Sequence, residues 1–161
     1  MTDFMAWMET STLGHFMRES GPWTYPVVNL SHVLGIALLF GAVVILDLRL
    51  LGVWRRIPLA ALADAATPVA AAGFLLAAAS GVGLLATKAT EYVRNPFLYI
   101  KFSAVAVGLL NVLVLHLSPP WQVRDTRPLS RAEHRQLAWI GGTSLACWLT
   151  ALAAGRMIAY W

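Results

Sequence analysis

The stretch VVNLSHVLGIALLFGAVVIL, residues 27–46, decides the fold, because it contains no Asp, Glu, Lys or Arg. A helix rises about 1.5 Å per residue, so roughly 20 apolar residues cover a hydrocarbon core about 30 Å thick. In lipid, each backbone N–H and C=O group needs a partner within the protein, and a helix supplies one from its own segment. The stretch therefore predicts a transmembrane α-helix.

Three further stretches without charge follow, at residues 65–87, 102–120 and 137–155. The chain is 58% apolar and 12% charged, whereas soluble domains carry about 25% charged residues. No alternation of period two appears, which argues against a β-barrel. We therefore predict an all-α membrane protein, a four-transmembrane-helix bundle formed by a single domain over residues 1–161. The predicted spans are residues 27–51, 65–87, 97–117 and 137–161.

The segment before the first span mixes bulky apolar side chains such as Trp7 and Phe16 with charges such as Glu9 and Arg18. It lacks the basic start, apolar run and small-residue cleavage site of a signal peptide. The mixture favours a short amphipathic N-terminal helix on the outer membrane surface. A disordered tail is the competing interpretation.

Basic residues predict the orientation, because positive charge stays on the cytoplasmic side. Seven of the 12 lysines and arginines fall in the first and third loops. Both termini are therefore expected outside, in the periplasm. The high isoelectric point is explained by these loops, and nucleic acid is not an expected partner.

A few polar side chains lie within the predicted spans, where they are costly and are functional hypotheses by default. They are His32, Lys101, Asn111, His116 and Arg156. His32 lies about five residues, or ~8 Å, below the outer surface. Lys101 and Arg156 lie at a similar depth from the same side, next to Gly81 and Gly83 of the second span.

This layer predicts a non-covalent haem b, for electron transfer or redox sensing near the outer face, with a quinone or redox protein as a possible partner. His32 is the proposed axial ligand of the iron, since histidine is a common haem ligand. Lys101 and Arg156 suit the propionate carboxylates, and Gly81 and Gly83 would admit a flat macrocycle. His15 is a possible second axial ligand, or the position stays open. No catalytic residue is predicted.

His32 and His116 cannot share one iron, because their depths in parallel helices differ by about 14 residues, or ~21 Å. A two-haem relay with His15 and His32 outside and His116 and His134 inside is a less favoured variant. A charge-assisted pair between His116 and Asp47, at the inner end of the first span, is also expected.

Other functions stay open. His32 could simply bond a neighbouring helix, and the two cations could extend to the headgroups. If so, the alternative functions are a small transporter or channel, or a structural or accessory subunit of a larger membrane complex. Gly73, Ala77 and Gly81 form a small-residue stripe that permits helix pairing within or between protomers, so a homo-oligomer is expected.

Several strings along the chain resemble a family of uncharacterised small bacterial four-helix inner-membrane proteins. They are GPWTYP (21–26), HVLG (32–35), DLRLLG (47–52), NPFLYIK (95–101) and GRMIAY (155–160). The resemblance covers nearly the whole chain and implies a multi-pass protein of the bacterial inner membrane. It implies no accepted activity.

The predicted orientation is tested by reporter fusions. Fusions after Arg56 and after Arg127 should report a cytoplasmic location, and a fusion after Arg94 a periplasmic one, because the basic loops stay inside. A cytoplasmic signal from the Arg94 fusion would show that the orientation is inverted.

Overall fold

A computed structural model describes residues 2–161 and contains, in that range, α-helices and one short 3-10 turn but no strand. The helices are α1 (Thr2–Thr10), α2 (Thr12–Glu19), α3 (Thr24–Leu50), α4 (Leu59–Thr87), α5 (Ala89–Tyr92), α6 (Pro96–Leu117), α7 (Pro119–Gln122) and α8 (Arg131–Met157). Four of them, α3, α4, α6 and α8, are long and apolar enough to cross a membrane. The predicted all-helical, four-span fold is confirmed.

The spanning helices begin and end at recognisable signals. Asn95 caps α6 by accepting a hydrogen bond from Phe97 N–H, with Pro96 in the first turn. Ser130 and Glu133 form a reciprocal capping box at the start of α8, so this helix begins six residues before the predicted span. The S-x-x-E spacing that signals such a box is visible in the sequence. Similarly, α4 begins directly after Pro58, at Leu59.

The four spanning helices form two hairpins joined along α3. Helix α3 packs closely on α4, α6 packs mainly on α8, and α8 also contacts α3. The membrane face that carries α1, α2, α5 and the C-terminal end of α8 is called the terminal face. The opposite face, with the connections 51–58 and 118–130, is called the loop face.

The α3–α4 contact is close because glycines face each other. A Cβ atom at Gly35 would lie 2.6 Å from the backbone nitrogen of Ala77, and one at Gly73 would lie 2.8 Å from the Gly35 carbonyl oxygen. The predicted stripe of Gly73, Ala77 and Gly81 therefore packs on α3 within one chain. In the middle of the bundle, Trp148 packs on Leu39 and Val43.

The N-terminal segment is helical, as predicted, but consists of two helices that meet at Ser11. The Glu9 carboxylate accepts hydrogen bonds from Thr90, at 2.7 Å from Oγ1 and 2.8 Å from the backbone N–H. These bonds hold the pKa of Glu9 below its usual value. Arg18 bonds the carbonyl oxygens of Glu9 and Thr87. The segment is thus fixed to the terminal ends of α4 and α5, and the disordered-tail alternative is wrong.

Large apolar side chains point outward from the spanning helices, including Leu30, Leu75 and Leu110, each more than 60% exposed. Exposed leucines in the middle of a bundle are costly in water but favourable against lipid tails. The structure therefore agrees with a bilayer environment.

The close α3–α4 contact predicts a difference between two glycines of the same helix. Gly35→Ala should lower stability by about 1–3 kcal/mol, as overpacking does, because its new methyl group meets the backbone of α4. Gly41→Ala is the matched control, since a Cβ there has no atom within 4 Å, and it should be neutral or slightly stabilising. Thermal unfolding in detergent measures both, and equal melting temperatures would contradict the packing.

Candidate functional site

His32, in the terminal half of α3, holds its imidazole against α4. Its Nδ1 lies 2.8 Å from the carbonyl oxygen of Ala77 and 3.2 Å from Ser80 Oγ. A carbonyl oxygen can only accept a hydrogen bond, so Nδ1 carries the proton and donates it. In the neutral ring the lone pair then lies on Nε2, which is the nitrogen available to a ligand.

Ser80 and Gly81 shape the place where the ring lies. Ser80 is buried, and its hydroxyl donates to the Leu76 carbonyl oxygen, at 2.5 Å, so its oxygen is left to accept from His32. A Cβ at Gly81 would lie 3.0 Å from His32 Cε1. The space beside Gly81 is therefore used by the imidazole ring itself. Sequence reasoning missed Ser80, although a hydroxyl adjoining the glycine was a visible signal.

Lys101 of α6 reaches the same layer from the other hairpin. Its aliphatic chain and Nζ pack on Gly155 of α8, at 3.6 Å from the position of a Cβ there. Its charge acts electrostatically on His32. Among residues 2–161, none of the ion pairs includes Lys101. A half-buried ammonium without a carboxylate partner is a natural counter-charge for an anionic group.

The other predicted members of the layer lie elsewhere. Arg156 is exposed, bonds Tyr160 Oη and lies over the Tyr160 ring, because a long cation at a helix end extends toward the membrane surface. Gly83 faces the sulfur of Met17, 3.4 Å from its would-be Cβ. His15 is exposed and pairs with Glu19, with Nδ1 3.0 Å from Oε1. The structure places Gly81 against His32 and Lys101 near enough to act on His32 electrostatically. Arg156, Gly83 and His15 make their contacts elsewhere.

The predicted pair of Asp47 and His116 is wrong. His116 is exposed, its Nδ1 donates to the Val112 carbonyl oxygen at 2.8 Å, and its ring packs near Trp121. The buried Asp47 carboxylate leaves its Oδ2 without a hydrogen-bond partner among the described residues, and Ser144 of α8 lies near enough to influence it. The two predicted partners share a depth, but α6 packs mainly on α8 and does not present His116 to α3.

Asn111, a polar side chain within α6, is also committed to packing. Its Nδ2 donates to the Ile140 carbonyl oxygen at 3.0 Å and so ties α6 to α8. In the described part of the chain, no group of three or more His, Cys, Asp and Glu side chains is placed to hold a metal ion. A haem takes only one or two protein ligands, so it needs no such group.

The chain matches, over residues 4–161, the family described as Family of unknown function (DUF6644). The match covers nearly the whole chain and confirms the resemblance to an uncharacterised family. No curated protein and no solved structure matches the sequence.

Double-mutant cycles test the partners of Asp47. Asp47→Ala combined with Ser144→Ala should show a coupling free energy of at least about 0.5 kcal/mol, as residues in contact do. The matched cycle of Asp47→Ala with His116→Ala should be additive within about 0.5 kcal/mol. Unfolding in detergent supplies the stabilities, and coupling to His116 alone would contradict the structure.

Proposed function

The chain belongs to DUF6644, a family of unknown function, and we propose that it binds one b-type haem within the membrane, near the terminal face. Haem supplies one-electron transfer or redox sensing when bound. The proposal depends on one layer of the bundle, which contains His32 and Lys101.

The observation that carries the proposal is the hydrogen bond from His32 Nδ1 to the Ala77 carbonyl oxygen. Histidines that ligate metals almost always donate their second ring N–H to a carboxylate or backbone carbonyl, which fixes the tautomer and the ring orientation. His32 has this arrangement, with Nε2 left as the ligating atom. A histidine that only joined two helices would need the same bond, so the second support is the charge beside it.

Lys101 supplies that charge. A haem carries propionate carboxylates, and an ammonium in a membrane interior stabilises such an anion through a charge-assisted hydrogen bond. In this proposal His32 would hold the iron and Lys101 would contact one propionate. Arg156 is excluded from this role by its contact with Tyr160.

His15 is turned to Glu19, so His32 is the histidine in this layer that would hold the haem iron. The two-haem relay is not favoured, because His116 is exposed at the loop end of α6 beside Trp121, with no unpaired cation of the described chain next to it like Lys101. A transporter needs a polar path through the bundle, and the Asn111 amide is already bonded to the Ile140 carbonyl oxygen. If the protein binds no haem, an accessory subunit of a larger membrane complex becomes the favoured function.

The setting is proposed from the charge distribution. With the arginine-rich loop face in the cytoplasm, both termini lie in the periplasm of a bacterial inner membrane, and a quinone or redox protein would exchange electrons at the terminal face. A homo-oligomer stays part of the proposal. Its contacts would use lipid-facing side chains, since the Gly73 stripe is occupied by α3.

The haem proposal predicts the absorption of the purified protein. Protein from haem-sufficient cells should show an intense Soret band that shifts on reduction. His32→Ala should abolish this band because it removes the axial nitrogen, and Lys101→Ala should weaken retention of the pigment by removing the propionate contact. Absorption spectra and pyridine haemochrome assays of the detergent-purified variants measure both effects.

Matched controls come from the same chain. His116→Ala and His15→Ala should leave the Soret band nearly unchanged, because neither side chain reaches the layer, and Arg156→Ala should retain the pigment. Colourless wild-type protein, or a His32→Ala protein with an unaltered band, would overturn the proposal.

A further inference from the structure

A cavity of about 540 Å³ lies on the loop face, between the end of α3 and the start of α8. Its lining contains four arginines and a histidine: Arg49, Arg55, Arg131, His134 and Arg135. It is far along the bundle from His32 and does not depend on the haem proposal. The volume falls within the ~300–1,000 Å³ range of small-molecule sites.

Local structure directs these side chains into one place. Gly52 has φ +98°, a conformation that favours glycine, and the turn it makes lets Arg55 fold back, with Nε 3.2 Å from the Gly52 carbonyl oxygen. Arg49 is only 8% exposed, and its Nε donates to the Ile57 carbonyl oxygen at 2.8 Å. On α8, Arg131 and Arg135 are four residues apart and share one side of the helix.

The positive charge of this cavity is not neutralised by neighbouring carboxylates. Glu133 is bonded to Arg127 and to the backbone of Ser130. Asp64 and Asp125 both pair with Arg124, which does not line the cavity. None of the ion pairs in residues 2–161 includes an arginine of the cavity. Four guanidinium groups around one space repel one another unless an anion lies between them.

We propose that this cavity binds a phosphate group. Guanidinium presents N–H donors in a planar fork that matches phosphate oxygens, which makes arginine the preferred residue for such recognition. The phosphate belongs either to an anionic phospholipid, whose headgroup lies at the depth of the span ends, or to a soluble phosphate compound.

Two measurements on the full-length protein distinguish these sources. Native mass spectrometry after incubation with phosphatidylglycerol, against phosphatidylcholine, detects a retained anionic lipid. Thermal unfolding in lipid-free detergent, titrated with pyrophosphate against chloride at equal ionic strength, detects a soluble phosphate. Retention of phosphatidylglycerol alone identifies a lipid headgroup site, a pyrophosphate response alone identifies a soluble ligand, and either result supports the phosphate site.

The variant Arg131→Gln/Arg135→Gln should weaken the observed binding about a hundredfold, because it removes two charge-assisted contacts, each worth about a factor of ten. The matched control Arg56→Gln/Arg94→Gln removes the same charge outside the cavity and should change binding less than about twofold. Arg55→Gln, at an exposed side chain, is a second test if the double variant does not fold. Absence of binding in both measurements, or equal losses in the cavity and control variants, would overturn the proposal and leave these arginines as orientation signals only.

Discussion

The contact between α3 and α4 is the interaction on which the remaining structure depends. The two backbones approach because Gly35 and Gly73 have no side chains, and this approach brings the Ala77 carbonyl oxygen within 2.8 Å of His32 Nδ1. In a bilayer such contacts must come from close packing and interhelical hydrogen bonds, since lipid tails are as apolar as leucine and provide no hydrophobic drive between helices. Helix α3 then presents its other side to α8, which in turn holds α6.

The polar side chains of the spans differ in how many of their hydrogen-bonding groups are occupied by contacts within the protein and in how exposed they are. The Asn111 amide donates a hydrogen bond to the Ile140 carbonyl oxygen, and His116 donates one to the Val112 carbonyl oxygen of its own helix. His32 donates its Nδ1–H to the Ala77 carbonyl oxygen and makes no hydrogen bond through Nε2 to the described residues. Lys101 has no carboxylate partner in the described chain. His116 keeps one ring nitrogen as well, but it is exposed, so the layer of His32 and Lys101 is set apart by a part-buried ring nitrogen near an unpaired cation. The arginines of the cavity at the loop face likewise have no carboxylate partner within residues 2–161.

The sequence predicts the depth of a residue well but not the helix that it faces. Charge-free runs and a rise of about 1.5 Å per residue were enough to find four spans and to place His32 and Lys101 in one layer. Depth alone also paired Asp47 with His116, because nothing in the pattern indicates that α6 packs on α8. Arg156 was misplaced for a related reason. Its side chain is exposed and folds along its own chain onto Tyr160, which depth alone does not reveal.

The geometry of the loops accounts for the arginine cavity, which the sequence did not predict. The arginines of the loop face were recognised as an orientation signal, which their number and spacing in the sequence allow. Their convergence on one cavity depends on the turn at Gly52 and on the capping box at Ser130, two local structures that bring residues from distant parts of the chain together. A count of charges along the sequence does not predict that these arginines line one cavity.

The central claim is that His32 is held by Ala77 and offers Nε2 to a ligand. Nitrogen-15 NMR of the imidazole in the membrane-embedded protein, assigned by comparison with a His32→Gln variant, measures this directly. The account predicts a ring protonated at Nδ1, with Nε2 unprotonated and altered by the bound iron. A ring protonated at Nε2 would contradict it, because that nitrogen could then ligate nothing.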